Sequence, residues 1–316
     1  MDWRVGLFGL VWALGLGPAS LVMAQEAPPT LIIQSGMFWQ HPGVGLGIDP
    51  AGNLYVADDT AGGFLVYDPL VTTFSKWAGR GTSFPPFGNL VDIAFTRFGD
   101  FFVLSSNGVE HFDALRNRLA VFGSPGTGPG QLQSATAAAT DWHGNVYVAD
   151  GPTARVQKFS PGGTFLQEWR LTGGPSAPAA VGVDVGAGGK VFILDGTNHR
   201  IQVFSASGSL MHQWGGFGSE PGQMNGPEGV TIDESGGVYV AERGSRRVQK
   251  FLPDGTLLST WTLAAAPPTD ICVGPRGRIY VVGTGSSGNN GFIYGYQYAA
   301  TPVFQTSWGR IKHRYR

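Results

Sequence analysis

The sequence predicts an all-β fold, a six-bladed β-propeller of four-stranded antiparallel blades, and two repeat registers plus the composition carry that expectation. The first register is an aromatic in each second strand: Tyr55, Phe102, Tyr147, Phe192, Tyr239 and Tyr280, at gaps of 47, 45, 45, 47 and 41 residues. The second is an aromatic in each fourth strand: Trp77, Phe122, Trp169, Trp214, Trp261 and Trp308, at gaps of 45, 47, 45, 47 and 47. A period near 45 with four strands per unit is a propeller blade, not a helical solenoid. The 316 residues include 50 glycines and 21 prolines, and 14% are charged, where roughly 25% is usual. Glycine-rich turns between β-branched and aromatic runs mean many short strands. Plentiful aromatic and branched residues exclude disorder. The formal charge of −1 gives no global drive toward nucleic acid or anionic lipid.

Taken in chain order, residues 1–24 read as a signal peptide. Arg4 precedes an apolar run from Val5 to Met23, and Val22 and Ala24 place small residues before a cleavage point ahead of Gln25. The run approaches spanning length, but Gly15, Gly17 and Pro18 weaken a stable helix, so cleavage is expected rather than anchoring. No later segment is apolar enough to span. The protein is therefore expected to be secreted or periplasmic, with no transmembrane span once the signal is removed.

Residues 25–30 form a short linker, residues 31–309 the propeller and residues 310–316 a basic tail. Three blades are plainest. One has Val146-Tyr147-Val148-Ala149-Asp150 and then Arg155-Val156-Gln157-Lys158-Phe159. The next has Val191-Phe192-Ile193-Leu194-Asp195 and then Arg200-Ile201-Gln202-Val203-Phe204. The third has Val238-Tyr239-Val240-Ala241-Glu242 and then Arg247-Val248-Gln249-Lys250-Phe251.

This pattern, with Gly128-Pro129-Gly130-Gln131 and Gly218-Ser219-Glu220-Pro221-Gly222-Gln223 ahead of successive blades, resembles the NHL repeat over about residues 30 to 310. Blades three to five match it closely. Blade one keeps Asp58 but has Gly63 where the Arg belongs. Blade two has a loop two residues short at Ser105 to Gly108, and blade six a long Gly/Ser/Asn loop from Thr284 to Gly291. Ring closure stays open. Leu31-Ile32-Ile33-Gln34 resembles a fourth strand without a blade, yet Val303 to Trp308 offers a fourth strand for blade six. The N-terminal strand either clasps the last blade or caps an edge, and an unpaired edge invites aggregation.

The recurring pairs Asp150/Arg155, Asp195/Arg200 and Glu242/Arg247 are expected to hold loops, since groups repeated in several blades solve a repeated structural problem. The repeated Trp residues are expected to pack between blades. Cys272, the only cysteine, leaves no internal disulfide and reads as an inert strand residue.

Three propeller enzyme families bear comparison. Peptide-amidating lyases hold zinc through histidines at the entry of innermost strands, in a Pro-His-x-(Leu/Ile) context. The corresponding positions here hold Val44, Glu228 and the Pro268-Thr269-Asp270-Ile271 stretch. The six histidines, at 41, 111, 143, 199, 212 and 313, lie in other registers, so no zinc centre is expected. Gluconolactonase/regucalcin-like propellers place Glu, Asn and Asp around a divalent cation in the channel. Glu228 and Asp270 begin innermost strands and are the residues that would hold Ca²⁺, although surface or loop-capping roles are the simpler expectation. Streptogramin-lyase-like propellers have seven blades and depend on histidine, so the likeness is poorer. No Gly-x-Ser-x-Gly elbow or phosphate-binding loop is present.

The expected function is that of a binding scaffold without catalytic residues or cofactor, with a divalent-cation enzyme as the alternative. Its partner would be another protein or an envelope or extracellular ligand, and not nucleic acid. Loops on a rigid body carry recognition. One face should collect the loops between strands two and three with the loops joining successive blades. Its candidate contacts are Trp39, His41, Arg80, Phe84, Asn198, His199, Asn225, Glu228, Arg243 and Arg246. The tail, Arg310 to Arg316, is expected to be a solvated end, with contact to an anionic envelope surface as its functional version.

Overall fold

The computed structural model describes residues 26–37, 45–58, 62–69, 73–78, 87–284 and 291–298. Twenty-four strands form six four-stranded antiparallel sheets, and helix among the described residues is limited to three single 3₁₀ turns. Blade one contains β2 (Leu46–Ile48), β3 (Leu54–Asp58), β4 (Gly63–Asp68) and β5 (Thr73–Trp77). Blade two contains β6 (Leu90–Phe95), β7 (Phe101–Ser105), β8 (Gly108–Phe112) and β9 (Arg118–Phe122). Blade three contains β10 (Ala135–Thr140), β11 (Val146–Asp150), β12 (Arg155–Phe159) and β13 (Phe165–Arg170). Blade four contains β14 (Ala180–Val185), β15 (Val191–Asp195), β16 (Arg200–Phe204) and β17 (Leu210–Gly215). Blade five contains β18 (Pro227–Ile232), β19 (Val238–Glu242), β20 (Arg247–Phe251) and β21 (Leu257–Thr262). The six-bladed ring expected from the two registers is the fold.

Blade six settles the closure question. Its sheet runs β22 (Pro268–Val273), β23 (Arg278–Thr284), β24 (Gly291–Gln297), and outermost β1 (Thr30–Met37). The N-terminal strand pairs antiparallel with β24 from Thr30↔Gln297 to Met37↔Gly291. It is thus the clasp that joins the first segment of the chain to the last blade. Val303 to Trp308 and the basic tail lie outside the described residues.

The core sits between blades. Period-two alternation puts one face of every strand against each neighbouring sheet, and the five described fourth-strand aromatics reach into the next blade. Trp77 lies 5.2 Å from Phe101 edge-on, Phe122 5.1 Å from Phe159, Trp214 6.2 Å from Phe251 and Trp261 5.7 Å from Tyr296, by ring centroids. Trp169 donates its indole N–H to the Ser205 carbonyl of blade four at 3.0 Å. The inter-blade packing expected of these aromatics is therefore present at five of the seams.

The repeated acid–Arg pairs pin the loops that join blades. Asp150 accepts the backbone N–H of Gln133 and Ser134 and pairs with Arg155 at 3.1 Å. Arg155 in turn donates to the carbonyls of Thr127 and Gln131. Glu242 and Arg247 do the same one blade pair later, toward Asn225, Ser219 and Gln223. A charge-assisted pair that also satisfies loop carbonyls fixes the entry to the innermost strands of blades three, four and five.

Candidate functional site

The six innermost strands β2, β6, β10, β14, β18 and β22 enclose an axial cavity of about 550 Å³. An innermost strand has one unpaired edge, and its N–H groups need acceptors. Three carboxylates supply them. Asp92 on β6 accepts its neighbour Ile93 N–H at 2.8 Å and, across the seam, Ala138 N–H of blade three at 2.8 Å. Asp184 on β14 accepts Val185 N–H and blade five's Ile232 N–H, both at 2.7 Å. Asp270 on β22 accepts Ile271 N–H at 2.8 Å and blade one's Leu46 N–H at 2.9 Å. Each carboxylate thus bridges one blade to the next, at alternate seams. The seam between blades three and four uses Thr136, which donates to the Ala180 carbonyl at 2.7 Å.

Where no carboxylate crosses a seam, glycine allows the approach. A Cβ on Gly45 would come within 2.4 Å of Asp92 Oδ1, and one on Gly229 within 2.7 Å of Asp270 Oδ1. Residue types and backbone spacing are matched around the ring.

The channel is electrostatically tense. Burial pushes Asp184 up to about 6. Burial, with the charge of Glu228 added, pushes Asp270 up to about 7. Burial and then the charge of Asp270 hold Asp92 well above the usual carboxylate range. Burial also raises the Cys272 thiol, helped by Asp270 and Asp92, which suits an inert residue.

These shifts have a sign. A folded pKa above the unfolded value means that the native state holds protons which the unfolded chain has released. The contribution of these groups is fully present below about pH 4 and lost as pH rises through about 6 to 7. In the opposite direction, turn hydrogen bonds and Lys158 hold Asp141 below its ordinary value, and Ser235, Gly237 and Tyr239 do so for Asp233; that stability is lost under strong acid. Melting temperature should therefore peak in weak acid and fall between pH 5 and pH 8. In Asp184→Asn that fall should be shallower. A flat profile in the wild type between pH 5 and 8 would contradict this reading.

The strand-two-to-three loops and the inter-blade loops share one face, as expected. Glu228 is the extra residue of a bulge at the start of β18, between the pairs Pro227↔Glu242 and Gly229↔Ala241. It stands exposed at the channel mouth, its pKa raised by surrounding protein and lowered by Arg243. Asp270 lies one register deeper, opposite Val282, and both its oxygens are taken by amides. Sequence reasoning paired Glu228 with Asp270 but missed Asp92 and Asp184. The Val91-Asp92-Ile93 and Thr269-Asp270-Ile271 stretches share an x-Asp-Ile signal that could have found Asp92.

Arg243 and Arg246 are exposed, and Arg246 donates to the Ala264 carbonyl at 3.1 Å. His199 is half-buried, accepts Gly226 N–H at Nδ1 and lies 5.0 Å from the exposed Phe217 ring. Asn225 is half-buried, and its N–H donates to Glu242. Asn198 is buried, with its amide spent on Asp195 and Ser176, so it shapes the loop rather than offering a contact. Trp39, His41, Arg80 and Phe84 lie outside the described residues. The unpredicted member of this cluster is Phe217.

Of the carboxylates at the channel, Asp92, Asp184 and Asp270 are each held by two backbone N–H groups, and Glu228 accepts no hydrogen bond among the described residues. No group of three or more His, Cys, Asp or Glu there is placed to hold an ion.

A family model described as the SMP-30/gluconolactonase/LRE-like region matches residues 186–285, less than half of the chain. No curated protein matches. Among solved structures, a gluconolactonase from Xanthomonas campestris superposes with a TM-score of 0.64 at 14% identity, covering 89% of this chain and 99% of that one. A streptogramin B lyase gives 0.58 at 13% identity, over 84% and 98%. A virginiamycin B lyase from Staphylococcus aureus gives 0.56 at 12% identity, over 79% and 81%. At such identities the likeness shows the propeller fold alone.

Proposed function

We propose that this chain, a propeller of the lactonase and lyase fold type, works as an exported NHL-type binding module. It takes a protein or another envelope or extracellular ligand on its loop face beside the channel mouth at blades four and five. One observation carries the reading: Phe217, Glu228, Arg243 and Arg246 stand exposed on loops that are themselves tied down. Gly226 N–H donates to His199, Arg243 N–H to the Gly226 carbonyl and Gly244 N–H to the Asn225 carbonyl. Aromatic and Arg side chains on a rigid base are the usual anchors of an interface, and a pre-ordered base lowers the entropy cost of binding. The axial carboxylates, by contrast, are occupied in holding blades together.

The test is capture of the partner by the exported protein. Phe217→Ala with Arg243→Ala and Arg246→Ala should weaken capture about tenfold or more at unchanged melting temperature. Undiminished capture would move the interface elsewhere.

A second reading, a lactonase- or lyase-like enzyme working in the channel, draws on the family match, because residues 186–285 include Glu228 and Asp270. Titration of the protein with Ca²⁺, followed by an assay for lactone hydrolysis, decides it. Stoichiometric binding together with turnover lost in Glu228→Gln would favour the enzyme.

A further inference from the structure

The face opposite the loop face collects the turns between strands one and two and between strands three and four. In blades two and three it carries an apolar corner that the function above does not use. Leu115 is 83% exposed, Trp142 73% and Phe98 64%. They stand on three neighbouring turns. A Cβ on Gly99 would lie 3.2 Å from the Ala114 Cβ, so the Phe98 and Leu115 turns touch. The Arg97 guanidinium joins the Phe98 and Trp142 turns across the blade seam, 4.5 Å from the Phe98 ring centroid and 3.5 Å from that of Trp142.

These side chains are held outward rather than left to collapse. Asp113 accepts the N–H of Leu115 and Asn117, Thr96 that of Phe98, and Asp141 that of His143 and Asn145. Arg97 makes no ion pair and no hydrogen bond among the described residues, so its donors are free. Two carboxylates on these turns are engaged elsewhere, Asp113 in its turn and Asp141 with Lys158 at 2.8 Å, and Asp100 makes no ion pair with Arg97. Projecting apolar tips around an unanswered guanidinium do not form a concave pocket for a small molecule. Indole and phenyl rings with an arginine are the side chains that settle at a bilayer interface, the rings at headgroup depth and the cation on phosphate.

We propose that this corner docks the protein on an anionic phospholipid surface. Phe98, Leu115 and Trp142 enter the interface, and Arg97 pairs with lipid phosphate. The net charge of −1 gives the rest of the body no attraction to such a surface, so the contact is local to the patch. Docking by this face points the loop face away from the membrane, toward a partner.

The experiment is sedimentation of the exported form, residues 25–316, with phosphatidylcholine vesicles, with and without phosphatidylglycerol. Binding is expected only with phosphatidylglycerol and should fall at high salt. Arg97→Ala should weaken it about fivefold, the worth of one basic residue at such a surface. Phe98→Ser with Trp142→Ala should weaken it about tenfold or more. A chain of residues 25–309 should bind as residues 25–316 do, which separates the patch from the basic tail. All these positions are on the surface, and an unchanged melting temperature confirms intact folding. The proposal is overturned by sedimentation equal on both vesicle types, by binding indifferent to Arg97 and Trp142, or by binding lost only when the tail is removed. Capture of a protein through this corner without any vesicle binding also overturns it.

Discussion

A chain that starts at residue 38 should lose about 10–20 °C in melting temperature, or fail to fold cooperatively. Without β1, blade six keeps three strands, and the outer edge of β24 from Gly291 to Gln297 faces water unpaired. Several ladder hydrogen bonds at about 1 kcal/mol each disappear, and for a domain of this size each kcal/mol is worth roughly 2–4 °C. The ring also loses its covalent tie, because β1 connects directly into blade one while lying on blade six. An open edge then promotes association between copies. A synthetic peptide spanning residues 25–37, added to the truncated chain, should restore part of the loss and suppress association. Equal melting of the two chains would show that another segment closes the ring.

The second large effect is expected inside blade three. Asp150→Ala should cost about 3–5 kcal/mol in urea unfolding, since it removes the fully buried partner of Arg155 and leaves only half-buried Glu168, at 3.4 Å, to answer the guanidinium. The side chain of Arg155 is 1% exposed and that of Asp150 is fully buried. The change also frees the N–H groups of Gln133 and Ser134. Removing both charges, as Asp150→Leu with Arg155→Met, should recover only part of the loss. The carbonyls of Thr127 and Gln131 would still lack the donors that Arg155 supplied. By comparison Asp113→Ala, in an exposed turn, should cost distinctly less. A cost for Asp150→Ala no larger than that of Asp113→Ala would remove the pair from its role as a loop pin.

The blades were legible because each aromatic register repeats one packing problem, and a repeated problem leaves a repeated residue. Tyr147 and Trp169 announce their strands, and the Asp150/Arg155 pair announces its loop, wherever the chain is read. Closure was not legible from the same signals. Residues 31–34 and 303–308 both carry strand-like patterns, and their choice of partner depends on which reaches β24. The axial clasps escaped for a related reason. Asp92 satisfies Ala138, Asp184 satisfies Ile232 and Asp270 satisfies Leu46, partners that lie a blade or the whole chain away. Only the ring brings those edges together. Glu228 and Asp270 looked alike in sequence because both start an innermost strand. The bulge at Glu228 lifts one to the mouth, while the register sinks the other into the seam. Arg97 and Trp142 belong to different blades, so their stacking was equally hidden.

On the proposed function, the propeller binds through its loop face while its channel carboxylates hold blades together. Site-specific photocrosslinking in the exported protein tests it most directly, with the reactive group placed in turn at Arg243 and Arg246 on the loop face and at Asp254 on the opposite face. The same adduct from the two loop-face positions, none from position 254, and an unchanged yield in Asp184→Asn are the expected results. An adduct from position 254 alone, or loop-face adducts abolished in an Asp184→Asn protein that still melts as the wild type does, would contradict it.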